Sequence, residues 1–401
     1  MARQQRWWWA LTASGLAAVL WISSIAPAAA DGGTTSTADP EVAGQLILRL
    51  KNAADLSSVA TQYDLDPTPI DQLAIAPLYL MRITDGTSPD ARSVSLSADS
   101  RVAYAEPNVV GSGAEDQGDS SWASGGGSST YLGQWAPTVI RLPQAFTVTR
   151  GANVNVAVLD TGVDATHPAL SGHLVAGYDF VDNDSDPSEV GTPAENIAYG
   201  HGTFIVGLVA LAAPDAHIIP VRVMDPNGVA DVWRLSKAMV WAASSGADII
   251  NLSLGTHTRT HVTNDLIAGL SSTGRGVVVA AAAGNAASNQ PQFPAAEGSS
   301  RVLSVGASTP TDTLASFSDY GSWVRVLAPG VSMWSTVPGG QYASWSGTSM
   351  STALASGEAA LVRAAYPTLS AQDVISRIAN TSTRVSGAVQ LRIDAGAAVG
   401  Q

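Results

Sequence analysis

There is no cysteine anywhere in the 401 residues, which excludes disulfides, thiol catalysis, cysteine-ligated zinc and a lipid-modified N-terminal cysteine together. Charge is also scarce. Asp, Glu, Lys and Arg make up 13% of the chain, and the 33 acidic side chains outnumber the 20 basic ones to give a formal net charge of −13. No Lys/Arg-rich block is present to neutralise phosphates, so nucleic acid is not expected as a partner. Beyond the first thirty residues no apolar run is long enough to span a bilayer without polar interruption. What the chain does have is 45% hydrophobic residues, enough to bury a sizeable core in one large domain or two smaller ones.

The N-terminus supplies the one long apolar run. Arg3 and Arg6 precede an apolar stretch from Trp7 to about Ile25, and Ala28-Ala29-Ala30 follow before Asp31. A basic flank, an apolar middle and a small-residue ending describe a secretory signal peptide over residues 1–30. An uncleaved anchor is the alternative, since the run is long enough to span. Cleavage would leave no stable membrane span and a secreted, extracellular product, or one held in a periplasm or at a cell surface.

Within an expected unit over residues 31–110, a Gly/Thr/Ser-rich spacer is followed over 44–109 by short alternating elements: "GQLILRLK" a strand, "AADLSSVATQYD" a helix, "LAIAPLYLMRI" one strand, "DARSVSLSAD" a helix and "RVAYAEPN" a strand, with room for another near Pro69. This pattern suits a small α+β, ferredoxin-like unit of the split βαβ kind. Residues 111–130, "GSGAEDQGDSSWASGGGSST", are polar and Gly/Ser-rich and have the composition of a flexible linker. From residue 131 to 401 the chain alternates buried-type strands ("VNVAVLD", "IIPVRVM", "ADIINLSLG", "GVVVAAAAGN") with helical segments. That is the signature of an α/β fold: a three-layer arrangement of a parallel sheet with helices on both faces. In such sheets the ligand crevice lies beyond the carboxyl ends of the strands.

Three polar residues stand at the mouths of these elements. Asp160 ends "VNVAVLD", His201 opens "GHGTFIVGLVALAAP" between glycines, and Ser349 follows Gly-Thr at the head of "SMSTALASGEAALVRAAY". Singly, each has an ordinary structural explanation as a turn Asp, a capping His or an N-cap Ser. Together they are the groups needed to deprotonate a serine, hold the imidazole tautomer and balance its charge. Asn285, at the end of "VVVAAAAGN", adds an amide able to donate to a developing oxyanion.

In that order, "AVLDTGVD", "GHGTFIVG", "AAAGN" and "SGTSMSTALASG" resemble the signature blocks of the subtilisin-like serine proteases, the subtilases. The resemblance implies a subtilisin-like fold and a secreted serine endopeptidase acting on peptides and proteins. It further implies Ser349 as nucleophile, His201 as general base, Asp160 as orienting carboxylate, and Asn285 with the Ser349 N–H as oxyanion hole. "ADIINLSLG" is similar to the family's substrate strand, so Ser253, Leu254 and Gly255 would pair with an extended peptide. Residues 31–110 are similar to the family's propeptide, which implies a zymogen with its own intramolecular inhibitor and self-processing within 108–131; a permanently attached accessory domain is the alternative. The chain departs from many relatives at Phe204, Ala353 and Leu354, positions that bear on packing.

No cofactor is required by this chemistry. "YDFVDNDSDPSEV" gathers Asp179, Asp182, Asp184 and Asp186, oxygen ligands suited to a structural calcium ion, with a solvated acidic turn as the alternative. "HTRTH" lacks the glutamate of a zinc-protease helix and reads as a loop entering a helix, and Ser370 with Asp373 form a capping box. A catalytically silent binding protein is a second reading. A serine esterase of the α/β-hydrolase type is disfavoured, since G-x-S-x-G is absent.

Overall fold

A computed structural model describes residues 39–113 and 123–401. The signal peptide expected over residues 1–30 and the middle of the expected linker lie outside the described residues.

The first elements are β1 (Glu41–Leu50), α1 (Leu56–Gln62), β2 (Asp71–Leu73), β3 (Leu78–Arg82), α2 (Pro89–Ser97) and β4 (Val102–Gly113). The strands run in the order β4-β1-β3-β2, all antiparallel, the split βαβ arrangement. The strand expected over "LAIAPLYLMRI" begins only at Leu78, because the chain reverses at residues 74–77, and β2, close to where a further strand was expected near Pro69, pairs back on β3. Alternation along β1 gives this sheet two apolar faces. Leu46, Leu48 and Leu50 pack with Val59 of α1 and Leu96 of α2, whereas Ile47, Leu78 and Leu80 face the other way and meet residues further along the chain.

The expected linker is shorter than its composition suggests. Residues 111–113 continue β4, and residues 123–130 enter β5 (Ala123–Ser124) and α3 (Ser128–Leu132). Gly and Ser serve there as residues with little side chain, able to pair by backbone alone: β5 adds to β16 (Gln341–Trp345), itself paired with β15 (Met333–Val337). Two single turns of helix, α4 (Ala136–Val139) and α5 (Leu142–Ala145), lead into the main sheet.

That sheet contains β6 (Asn155–Asp160), β7 (Tyr178–Asp179), β8 (His217–Arg222), β10 (Ile249–Leu252), β12 (Val278–Ala282), β13 (Val302–Ser308) and β14 (Val326–Pro329). Their order is β14-β13-β12-β10-β6-β8-β7, parallel throughout, with β17 (Thr383–Arg384) and β18 (Leu391–Arg392) beyond β14. Helices α6 (His201–Ala212), α9 (Thr348–Ala365), α10 (Ala371–Thr381) and α11 (Ala395–Ala398) contribute to the core on one face. Helices α7 (Val232–Ser244) and α8 (His261–Ser272) lie on the other face. The three layers expected from the alternation of apolar runs are therefore present.

Helix α9 runs through the middle of the protein, and every residue from Thr348 to Arg363 is buried. Its small side chains allow this depth. A Cβ on Gly357 would stand 2.3 Å from Ala212 Cβ of α6, so the two helices cross closer than any larger residue permits. Phe204, Ala353 and Leu354 are fully buried in the same core. Ser370 caps α10 reciprocally with Asp373, and His261 is the first residue of α8.

Candidate active site

Asp160, the last residue of β6, and His201, the first of α6, are both almost completely buried. His201 Nδ1 lies 2.6 Å from Asp160 Oδ1, and the Thr161 N–H donates to the same oxygen at 2.8 Å. The strand ends at the switch point of the sheet, where β8 lies on one side of β6 and β10 on the other. Gly200, in the left-handed region at φ 85°, turns the chain into α6. A Cβ on Gly202 would meet the Gly162 carbonyl oxygen at 2.1 Å, so only glycine lets the head of α6 sit against the end of β6.

Ser349 lies in the first turn of α9, fully buried, with its Oγ 3.4 Å from the Ser253 carbonyl oxygen. Trp345, at the end of β16, stands edge-on to the His201 ring with centroids 5.2 Å apart and also touches Phe204. Asn285 is held by its neighbour to Ser349: Oδ1 accepts from the Thr348 N–H at 2.9 Å and from Thr348 Oγ1 at 3.0 Å. Thr348 Oγ1 in turn accepts the Gly284 N–H. With Oδ1 committed in this way, Nδ2 is the end of the amide able to donate. The strand carrying Ser253 is braced from behind, where Asn251 Nδ2 donates to Ser253 Oγ and Oδ1 accepts from Ser356 of α9.

Leu254 and Gly255 form β11, and Val229–Asp231 form β9. The end of β4 lies between them, antiparallel to both. Leu254 pairs with Gly113 and Gly255 with Ser112, while Val229, Ala230 and Asp231 pair with Ser112, Gly111 and Val110. The Gly113 N–H also donates to the Gly228 carbonyl. Upstream, Glu106 accepts the His261 and Val262 N–H groups at the head of α8, and Asn108 Oδ1 accepts the Trp233 N–H of α7. Ile47, Leu78 and Leu80 pack with Trp233, Val262 and Leu266.

Asp179, Asp182 and Asp184 do not converge on a common centre. Arg222 Nη1 stands between Asp179 Oδ2 at 2.6 Å and Asp182 Oδ2 at 2.5 Å, and Asp184 turns back to cap the Asp186 N–H. Among the described residues no group of three or more His, Cys, Asp or Glu side chains is arranged to hold a metal ion. The three carboxylates therefore do not fit a shared calcium site as they stand, because a guanidinium already supplies the positive charge between two of them.

The residues that support the site are not marked in the sequence. Thr161, Trp345, Thr348 and Asn251 carry no spacing rule that marks them, and Glu189 sits in an irregular loop; only proximity in the fold reveals them.

The architecture and the residues gathered on its rim define the subtilisin-like class. The subtilase family matches residues 151–396, and the chain belongs to that family. It is 41% identical over 266 residues to the thermophilic serine proteinase of Bacillus sp. strain AK1, covering 65% of this chain and 63% of that one. It is 38% identical over 265 residues to thermitase of Thermoactinomyces vulgaris, covering 63% and 90%. Among solved structures, fervidolysin from Fervidobacterium pennivorans superposes with a TM-score of 0.76 over 92% of this chain and 62% of that one; at 21% identity this is a likeness of fold. No helix among the described residues is long and apolar enough to cross a membrane.

Proposed function

We propose that the chain is a secreted serine endopeptidase made as a zymogen. The observation that carries this reading is the 2.6 Å contact between Asp160 and His201, on the same rim as a serine at the head of a buried helix. Ser349 Oγ attacks the carbonyl carbon of an extended peptide while His201 Nε2 takes its proton. Asp160 holds Nδ1–H, fixing the tautomer and balancing the imidazolium. The tetrahedral oxyanion accepts hydrogen bonds from Asn285 Nδ2 and the Ser349 N–H, aided by the positive potential at the head of α9. His201 then protonates the leaving amine, and a water deprotonated by the same imidazole releases the acyl group from Ser349. Ser253, Leu254 and Gly255 hold the substrate by main-chain hydrogen bonds.

Inhibition by residues 31–110 is supported by the strand that continues from them, whose residues 110–113 lie between β9 and β11 and make the backbone bonds expected of an extended substrate. Gly113 is level with Leu254, the residue after Ser253, whose carbonyl oxygen lies beside Ser349. The first cut is accordingly expected next to residue 114, inside the 108–131 window, and the mature chain close to Glu115. A structural calcium ion is no part of this reading, because Arg222 occupies the place between Asp179 and Asp182.

The test is to express residues 31–401 as wild type and as Ser349→Ala and to follow chain length, the new N-terminus and casein cleavage. Shortening near Glu115 with casein digestion by the wild type alone supports the reading. Two intact, inert proteins would leave a binding protein with this fold.

A further inference from the structure

The loop between β7 and α6 carries a carboxylate with no part in the mechanism above. Glu189 turns inward to the head of α6. Its Oε1 accepts the Thr203 N–H at 3.0 Å and Thr203 Oγ1 at 3.1 Å, and its Oε2 accepts the Gly200 N–H at 3.2 Å. Thr161 Oγ1 donates to the same carboxylate, 3.2 Å from both oxygens. Both hydroxyls are already acceptors for other groups: Thr161 Oγ1 takes the Gly202 N–H at 2.9 Å and Thr203 Oγ1 the Asp164 N–H at 2.8 Å. Their protons are therefore committed to Glu189, and the carboxylate faces four donors.

These partners bracket the site. Thr161 follows Asp160, while Gly200 and Gly202 flank His201. Helix α6 has no side-chain cap of its own, since its N-cap is Gly200. Glu189 supplies the missing acceptor and places negative charge at the positive end of the helix. Burial and the neighbouring Asp160 charge push its carboxyl up, against the pull of the Thr203 and Gly200 N–H groups. An amide could not replace the acid, because its NH₂ would point at a donor.

We propose that Glu189 is the positioning residue of the Asp160–His201 pair: one carboxylate joins the end of β6 to the head of α6, fixes the two side chains in contact, and adds negative charge that favours the imidazolium. This rests on the triad reading. A helix cap that served folding alone would make the same bonds, so the test must read the imidazole.

In the full chain, Glu189→Gln, Glu189→Asp and Glu189→Ala are compared with wild type on a short chromogenic peptide, with active sites counted by sulfonyl fluoride labelling so that only folded enzyme is scored. The isosteric Gln variant keeps the test valid if the Ala variant does not fold. Glu189→Gln is expected to lower kcat at least tenfold with KM within twofold of wild type. It should also move the acidic limb of the kcat/KM profile to lower pH, because removing a negative charge lowers the imidazole pKa. Glu189→Asp, which keeps the charge, should return the limb toward its wild-type position. A Gln variant with wild-type kcat and an unmoved limb, whatever its melting temperature, would overturn the proposal. A wild type that neither labels at Ser349 nor cleaves peptide would instead overturn the protease reading.

Discussion

At the scale of single residues, the arrangement around Ser349 depends on groups whose orientation is set by neighbours. Asn285 presents a donor because Thr348 occupies its oxygen twice. Asn285→Ala is accordingly expected to lower kcat by about 10²- to 10³-fold with little change in KM, the size seen on losing one oxyanion donor in subtilisin, a relative. Steady-state kinetics on a peptide substrate checks this, and a change confined to KM would assign the amide to ground-state binding. Asp160, His201, Asn285 and Ser349 were each visible in the sequence beside strand-end and helix-start signals. Thr348 and Trp345 were not, because their contribution is a contact across the fold that leaves no spacing in the chain.

At the scale of elements, α9 contains a buried acid. Among the described residues neither carboxyl oxygen of Glu358 has a hydrogen-bond partner, and burial, reinforced by Asp394 and opposed by Arg392, raises its pKa well above the ordinary carboxyl value. A group whose folded pKa is raised contributes stability that is complete below its unfolded pKa and is lost as pH rises through the folded pKa. In a Ser349→Ala background, which cannot digest itself, the melting temperature should therefore fall relative to Glu358→Gln as pH is raised from about 4 to about 9. A difference that stays constant across that range would show that the acid does not titrate in the fold. The acidic loop after β7 makes a second test. With Arg222 between Asp179 and Asp182, EDTA is expected to leave the melting temperature unchanged; a drop of several degrees would restore a stabilising ion. Breaking the buried Asp179–Arg222 pair by Arg222→Ala should cost about 3–5 kcal/mol, measured by denaturant unfolding.

At the scale of the whole molecule, the small N-terminal sheet and the three-layer part meet through the pairing of β4 with β9 and β11, through apolar packing and through polar side chains. Apolar side chains of β1 and β3 cover α7 and α8, and Glu106 caps α8, whose own N-cap Thr260 turns its hydroxyl to Thr263 and caps no backbone N–H among the described residues. Glu106→Ala removes two backbone hydrogen bonds to a charged acceptor and should weaken docking by about 2 kcal/mol, or about thirtyfold. In the active background this should shorten the lag before casein cleavage begins. An unchanged lag would mean that the strand pairing and apolar packing hold the two parts together without help from Glu106.

The sequence by itself determined the layers and marked the candidate site residues. Buried parallel strands must be apolar on both faces, and a strand-end Asp, a glycine-flanked His and a Gly-Thr-Ser are local patterns. It also marked the alternation of strands and helices in the first part, with room for the short strand near Pro69, although the turn at the start of "LAIAPLYLMRI" was hidden because an apolar run does not show where a chain reverses. Only the tertiary structure decided that the Gly-Ser-Gly end of β4 belongs to a sheet shared with β9 and β11, that Arg222 enters the acidic loop, and that Glu189 reaches the head of α6. Each depends on a partner distant in the chain. Backbone pairing, ion pairing and helix capping across such separations are selected by where the packed core leaves an unpaired strand, charge or N–H, and no local period records that.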